Sequence, residues 1–268
     1  MLKDITLGQY FPGNSIAHKL DPRTKILLVT LYIIALFSAK GWMGYAVMAV
    51  TLAACVKVSH VGLRALVRGL KPLVFIIAFT GILNMFFTPD THYLWEWGIL
   101  RVSVKGIENA LFMVIRIMLL VMGTFLMTYT TSPIRLTDGL ESLLNPLKKV
   151  HVPVHELAMM MAIALRFIPT LIEETDKIMS AQKARGADFD SGNIFQKAKA
   201  LIPILVPLFI SAFRRADELA VAMECRCYHG GEGRTKLHVL KYQRRDYVAL
   251  AGGVVILALV VVLRRLGT

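Results

Sequence analysis

Charged residues are scarce in this chain of 268 residues, and several motifs that carry chemistry are missing. Asp, Glu, Lys and Arg make up 18% of the sequence, whereas soluble domains usually carry about 25%. No GxxxxGK[ST] phosphate-binding loop occurs, so the chain is not expected to bind ATP itself. The three cysteines, Cys55, Cys225 and Cys227, are too few for a disulfide framework and are expected to be reduced.

The sequence contains several long segments without a charged residue. Pro72 to Pro89 and Ile117 to Ile134 each contain 18 residues without a charge, and Tyr247 to Leu263 contains 17. A helix needs about 20 mostly apolar residues, with a usual range of about 17–25, to cross a bilayer. The first twenty residues lack an apolar core segment, so no cleavable signal peptide is expected.

These runs predict an all-α integral membrane protein with about five transmembrane helices. The expected spans are 25–39, 42–56, 72–87, 107–128 and 246–263. The chain then divides into a cytoplasmic N-terminal segment (1–24), a four-span region (25–128), a cytoplasmic region (129–245) and a C-terminal span (246–268). The cytoplasmic region between the fourth and fifth spans is expected to consist of amphipathic helices.

Basic residues predict the orientation of the spans. Four of them lie between the second and third spans: Lys57, Arg64, Arg68 and Lys71. Because Lys and Arg accumulate in cytoplasmic loops, this connection and the N-terminus are expected inside. The loop that contains Trp95 and Trp97 is then expected outside, with the tryptophans at the interface. Arg264 and Arg265, after the last span, would also lie outside, against the rule.

The net charge of +13 raises the question of nucleic-acid binding. The basic residues flank apolar runs instead of forming a solvated stripe, so anionic lipid and membrane topology account for most of them. The expected surroundings are therefore a lipid membrane, and no nucleic-acid partner is predicted.

Region 129–245 contains 17 of the 31 basic residues, yet apolar runs recur within it at 157–172 and 202–213. One part has the spacing of an amphipathic helix. Its apolar positions are Phe167, Ile168, Leu171, Ile172, Ile178 and Met179, and its polar positions are Glu173, Glu174, Asp176, Lys177 and Lys183. Such helices can lie at a membrane surface with one face in water.

Two long helices in this region end alike. The first ends in Gln182-Lys183-Ala184-Arg185-Gly186 and the second in Met223-Glu224-Cys225-Arg226-Cys227-Tyr228. An arginine in the last turn complements the negative end of the helix dipole, which is one interpretation. The pairing favours another, in which two arginines are presented to carboxylates or carbonyl groups of a partner.

Three sequence features resemble one family. Ala184-Arg185-Gly186, the similar segment around Arg226 and the N-terminal segment 20–25 (LDPRTK) look like the transmembrane T component of energy-coupling factor transporters. The resemblance covers essentially the whole chain. It implies that the two helix ends are coupling helices that seat in grooves on a pair of ABC ATPase subunits, and that a membrane-embedded S component binds the substrate.

The resemblance also implies roles for individual residues. Arg185 and Arg226 would be the principal ATPase-contacting residues, supported by Ala184, Gly186 and Glu224. The second motif departs from the family pattern, because Cys225 and Cys227 replace alanine and glycine. The remaining signature residues, Asp21, Pro22 and Arg23, are expected to fix the start of the first span rather than to contact substrate.

The expected function is therefore a non-catalytic coupling subunit of a micronutrient importer, for a vitamin or a metal ion, in a prokaryotic cytoplasmic membrane. No catalytic residue, resident metal or cofactor is predicted. One alternative is a membrane-embedded hydrolase that uses His151, His155 and Glu156, although the HExxH spacing is absent. Another is a self-sufficient secondary transporter or channel, for which Arg116 inside the fourth span is the only support. A metal site at Cys225, Cys227 and His229 has the wrong spacing for zinc.

Overall fold

The structure is a computed structural model that describes residues 10–88, 93–97, 100–187, 189, 193–230 and 239–266. Helices dominate these residues. They are α1 (Ile16–Lys19), α2 (Pro22–Ser38), α3 (Gly41–Ser59), α4 (Leu63–Leu70), α5 (Val74–Phe87), α6 (Val104–Thr130), α7 (Pro133–Leu144), α8 (Val154–Ala184), α9 (Ile194–Glu224) and α10 (Arg244–Arg265). Short 3₁₀ segments occupy Lys71–Leu73 and Asn145–Val150.

A small antiparallel hairpin joins α5 to α6. Its strands are β1 (Tyr93–Trp97) and β2 (Leu100–Ser103), with Trp97 opposite Leu100 and an irregularity between Tyr93 and Trp95. The side chains of Trp95 and Trp97 lie outside the described residues, so their expected place at the interface stays a prediction. Ser103 ends the hairpin and caps α6, because its hydroxyl oxygen accepts a hydrogen bond from the peptide N–H of Gly106 at 2.9 Å.

The chain forms two compact units. The membrane unit consists of residues 8–142 and 240–268. The second unit consists of residues 143–239 and is called the coupling unit here after the coupling helices that are expected in it. In the membrane unit, α2, α3, α4, α6 and α10 enclose a core in which Leu36, Met48, Leu66 and Val260 are almost completely buried. Large apolar side chains on the outer faces of these helices remain exposed, as expected for surfaces that meet lipid.

One glycine permits an especially close contact in the membrane unit. A Cβ atom on Gly123 of α6 would lie 2.5 Å from the ring of Tyr32 of α2. The Tyr32 hydroxyl donates a hydrogen bond of 2.9 Å to the carbonyl oxygen of Leu119, one turn earlier in α6. Small residues allow helix backbones to approach in membranes, so Gly123 brings α2 and α6 together.

The coupling unit is built around the two long helices α8 and α9. Both contain internal prolines, Pro169 in α8 and Pro203 and Pro207 in α9. The predicted amphipathic helix lies within α8. On α9, large apolar side chains at helical spacing are exposed: Ile202, Val206, Phe209 and Phe213.

The predicted all-α membrane fold is confirmed, and the number of spans is approximate. Helices lie at all five expected spans. By length and composition, six helical segments in the described part of the chain could cross a membrane. This set leaves out α2, which has 17 residues, and includes α8 and α9. The assignment of α8 and α9 to the cytoplasm therefore stays a prediction.

Candidate partner-binding site at two helix ends

The end of α8 has a defined backbone geometry. The peptide N–H of Gly186 donates to the carbonyl oxygen of Lys183 at 3.0 Å, and that of Ala187 donates to the carbonyl oxygen of Gln182 at 3.0 Å. Gly186 has a φ of 87°, in the left-handed region. These two bonds and the left-handed residue make up the Schellman motif. Arg185 is therefore the C-cap residue of α8.

The end of α9 has the same geometry. The peptide N–H of Cys227 donates to the carbonyl oxygen of Glu224 at 2.9 Å, and the peptide N–H of Tyr228 donates to the carbonyl oxygen of Met223 at 3.0 Å. Cys227 has a φ of 56° and takes the left-handed position that Gly186 takes in α8. Arg226 is the residue equivalent to Arg185.

The cysteines of the second motif therefore leave the backbone course unchanged. Cys225 corresponds to Ala184 and Cys227 to Gly186. A side chain in the left-handed conformation costs roughly 1–2 kcal/mol relative to the right-handed one. The α9 motif thus forms with a strained residue where the α8 motif has an unstrained one.

Both arginines are exposed. Within the part of the chain that the structure describes, neither Arg185 nor Arg226 has a hydrogen-bonding side chain or a carboxylate within ion-pair distance. The other motif residues are also exposed: Ala184, Gly186, Glu224, Cys225 and Cys227. The turn residues Asp188, Asp190 and Gly192 lie outside the described residues.

Two side-chain contacts show how α8 and α9 are arranged. Arg215 Nη2 donates a hydrogen bond of 2.9 Å to Glu174 Oε2. The Tyr228 hydroxyl, just beyond the end of α9, donates to the sulfur atom of Met159 near the start of α8, at 3.3 Å. Later residues of α9 thus lie beside earlier residues of α8, so the two helices run antiparallel.

This arrangement separates the two helix ends. Arg185 lies eleven residues after Glu174, and Arg226 lies eleven residues after Arg215. At about 1.5 Å of rise per residue, each arginine lies roughly 16 Å from the Glu174–Arg215 ion pair. Because the helices run in opposite directions, the two arginines are roughly 33 Å apart, too far for one small ligand to contact both.

The N-terminal signature lies in the membrane unit. Asp21 is the N-cap of α2, and its carboxylate accepts a hydrogen bond of 2.9 Å from the peptide N–H of Arg23, with Pro22 in the first turn. Arg23 Nη2 donates to the carbonyl oxygen of Leu240 at 2.7 Å, and its guanidinium group lies 4.9 Å from the centre of the Tyr242 ring. The signature residues thus hold the start of α2 against the segment that precedes α10.

Two further buried charges complete this junction. The Asp246 carboxylate accepts hydrogen bonds from the peptide N–H groups of Asp21 at 2.9 Å and Gln243 at 2.8 Å. Lys25 Nζ donates to the carbonyl oxygen of Thr130 at 2.8 Å. Sequence reasoning missed Asp246 and the Glu174–Arg215 pair, although an acidic residue at the start of an apolar helix is a signal for the first.

Two of the residues named in the hydrolase alternative, His151 and Glu156, lie at or near the start of α8. His151 adopts a left-handed conformation, with a φ of 61°, in the turn before α8. Glu156 lies in the first turn of α8, where its charge complements the helix dipole. No group of three or more His, Cys, Asp or Glu side chains that could hold a metal ion occurs among the residues described.

Comparisons with known proteins identify the family. The family model of CbiQ, the cobalt transport protein, matches residues 13–237. Curated relatives carry the name "Energy-coupling factor transporter transmembrane protein EcfT". One from Ruminiclostridium cellulolyticum is 52% identical over 263 residues, 98% of each chain. One from Clostridium kluyveri is 56% identical over 93% of each chain. One from Bacillus subtilis is 46% identical over 98% of this chain and 100% of its own length.

A match over most of the chain, at identities near one half, leaves no room for a similarity restricted to one region. The six apolar helices agree with a multi-pass protein of the cell membrane. The chain belongs to the CbiQ/EcfT family, the transmembrane proteins of energy-coupling factor transporters.

Proposed function

We propose that this chain is the coupling subunit of a micronutrient importer. It transmits ATP-driven motion of two ATPase subunits to a separate membrane-embedded S component that binds a vitamin or a metal ion. The two matching helix ends carry this proposal, because each presents an exposed arginine that has no partner among the described residues. Hydrolysis of ATP belongs to the partner subunits, and this chain contributes no catalytic residue.

The geometry of the helix ends suits them to rigid contact with a partner. The Schellman bonds occupy carbonyl groups that would otherwise be unpaired at each end. The backbone around Arg185 and Arg226 is therefore fixed, and each guanidinium group keeps five N–H donors in a planar fork. Such a fork suits bidentate binding to a carboxylate or to carbonyl groups in a groove.

The spacing of the ends favours two partners over one. Two arginines roughly 33 Å apart on antiparallel helices match two separate subunits, each of which contacts one helix end. When those subunits move toward or away from each other, the load passes along α8 and α9. The Glu174–Arg215 ion pair and the Tyr228–Met159 contact resist sliding between the helices.

The exposed apolar face of α9 is the surface through which this motion would reach the membrane components. Ile202, Val206, Phe209 and Phe213 lie on that face, each at least half exposed. Apolar patches of this kind mark contacts with lipid or with another protein. We assign this face to the membrane phase and the S component.

Charge reversal at both helix ends tests the proposal. The double variant Arg185→Glu/Arg226→Glu should insert in the membrane normally but lose the ATPase subunits when the tagged full chain is purified. Uptake of the micronutrient bound by the S component should also be lost. Breaking one partner of a buried charge pair costs about 3–5 kcal/mol, which is more than a hundredfold in affinity.

Lys183→Glu is the matched control, because Lys183 is also basic and exposed in the last turn of α8. It should retain both ATPase subunits and most of the uptake. The proposal is wrong if the double variant still assembles with the ATPase subunits and supports normal uptake.

A further inference from the structure

A basic cavity of about 530 Å³ opens in the membrane unit. The charged side chains that line it are four cations and one carboxylate: Lys40, Lys105, Arg116, Arg264 and Glu108. Lys105 has a partner, and the other three cations still outnumber the carboxylate. Among the described residues, the cavity therefore carries an excess of positive charge at a place where the proposed coupling function requires none.

The cavity lies at one end of the helical bundle. It is lined where α2 ends and α3 begins, at Lys40, where α6 begins, at Lys105, and where α10 ends, at Arg264. The positive-inside rule assigns this end to the outside of the membrane. Arg264 therefore lies with Lys40 and Lys105 on the side where the positive-inside rule expects few basic residues. This grouping indicates that the positive charge has a function at this site.

Arg116 reaches this cavity from within α6. Its Nε donates a hydrogen bond of 2.9 Å to the Tyr45 hydroxyl, and its Nη2 donates to the same oxygen. Tyr45 lies about one turn from the start of α3. The guanidinium group therefore lies near the outer end of the bundle, although the backbone of Arg116 lies twelve residues into α6.

None of the residues that the structure describes neutralises the charge of Arg116. Two of its five N–H groups point to Tyr45, and the guanidinium group also packs 5.8 Å from the ring centre of Phe37. Among the residues that the structure describes, no carboxylate lies within ion-pair distance of it. An arginine at membrane depth is costly unless an anion or water compensates its charge.

The rim of the cavity is apolar toward the lipid. Trp42 packs against Phe112, which lines the cavity, with ring centres 4.9 Å apart. Phe37 and Trp42 are 60% and 56% exposed on the outer surface of the bundle. A ligand with an anionic head and apolar chains would place its head among the cations and its chains along these rings.

We propose that this cavity binds the phosphate group of an anionic phospholipid from the outer leaflet. Arginine matches phosphate geometry with two parallel hydrogen bonds, and basic pockets between transmembrane helices bind lipid headgroups. A zwitterionic lipid is disfavoured because its own cation would enter a cavity in which Lys40, Arg116 and Arg264 already outnumber the carboxylate of Glu108. This role is independent of the coupling function.

Native mass spectrometry of the detergent-solubilised full chain tests the proposal. We expect one phosphatidylglycerol to bind at least about tenfold more tightly than phosphatidylcholine, since a hydrogen bond between charged groups is worth about that factor. Arg116→Gln and Arg264→Gln should each weaken phosphatidylglycerol binding by about the same factor. Arg264 is exposed at a helix end, so its replacement tests the site even if Arg116→Gln impairs folding.

Arg265→Gln is the matched control, because Arg265 is the adjacent exposed arginine and does not line the cavity. It should bind phosphatidylglycerol within about twofold of the unaltered chain. Equal binding of the two lipids, or equal losses in the Arg264 and Arg265 variants, would overturn the proposal. Binding of inorganic phosphate as tight as that of phosphatidylglycerol would assign the cavity to free phosphate. Retention of an acidic membrane protein in place of lipid would assign it to a protein partner.

Discussion

The carboxylate of Asp246 accepts a hydrogen bond of 2.9 Å from the peptide N–H of Asp21, a residue 225 positions earlier in the chain. Asp246 is 1% exposed, and its second oxygen accepts a hydrogen bond from the peptide N–H of Gln243. One side chain thus joins the N-terminal signature to the start of the last helix. Asp21 is therefore half of a junction whose other half, Asp246, lies at the start of α10.

We predict that Asp246→Ala lowers the free energy of unfolding by about 3 kcal/mol, because it leaves two N–H groups without their charged acceptor. Asp246→Asn keeps one carbonyl oxygen and should cost about half as much. Thermal unfolding of the purified chain, followed by near-ultraviolet circular dichroism, measures both. An Asp246→Ala protein that unfolds at the original temperature would show that the junction contributes little to stability.

The left-handed conformation at residues 186 and 227 predicts that glycine stabilises each helix end and that a residue with a side chain destabilises it. Cys227→Gly should stabilise the end of α9 by about 1 kcal/mol, because glycine adopts a positive φ without strain. Gly186→Ala should destabilise the end of α8 by a similar amount. Hydrogen–deuterium exchange at the peptide N–H groups of Tyr228 and Ala187 reports these changes, as slower and faster exchange respectively.

Cys225→Gly is the control for this pair, because Cys225 does not have a positive φ. Glycine at that position should speed exchange at the end of α9. If Cys227→Gly and Cys225→Gly behave alike, the left-handed conformation at residue 227 is not the cause.

The antiparallel arrangement predicts distances within the coupling unit. Spin labels at residues 185 and 226 should show a main distance of about 30–35 Å by pulsed electron paramagnetic resonance, from the helical rise on either side of the Glu174–Arg215 pair. Labels at residues 159 and 228 should lie much closer, because Tyr228 contacts Met159. A distance between residues 185 and 226 below about 20 Å would contradict two separate partner contacts.

Two helical glycines of the membrane unit predict different costs for an added methyl group. Gly123→Ala should destabilise the protein by about 1–3 kcal/mol, because the new Cβ atom would overlap the Tyr32 ring. Gly252→Ala places its Cβ atom in open space and should be neutral or slightly stabilising, since alanine favours a helix. Thermal unfolding of the two variants measures the difference. Equal destabilisation would exclude the α2–α6 contact as its cause.

The sequence was sufficient for features that depend on local spacing. Apolar runs of 17 and 18 residues predicted helices in the right places, and a glycine after Arg185 is typical of a helix end. The count of spans was less secure, because α8 and α9, which were expected in the cytoplasm, are long and apolar enough to meet the same criterion as the expected spans.

Features that depend on distant residues could not be predicted in this way. Nothing near Asp21 indicates that Asp246 completes its environment, and nothing near Arg116 indicates Tyr45 as its partner. The left-handed conformation of Cys227 was also not predictable, because cysteine rarely adopts it. It follows instead from the end of α9 as a whole, where two backbone bonds enforce it.

The junction between Asp21 and Asp246 also has a consequence in time. At about 5–20 residues per second, a ribosome needs on the order of 10–45 s to add the residues that separate them. During that interval the start of α2 lacks its buried acceptor, and a chain released early never acquires it. Synthesis of α10 is therefore the step that completes the hydrogen bonding at the start of α2.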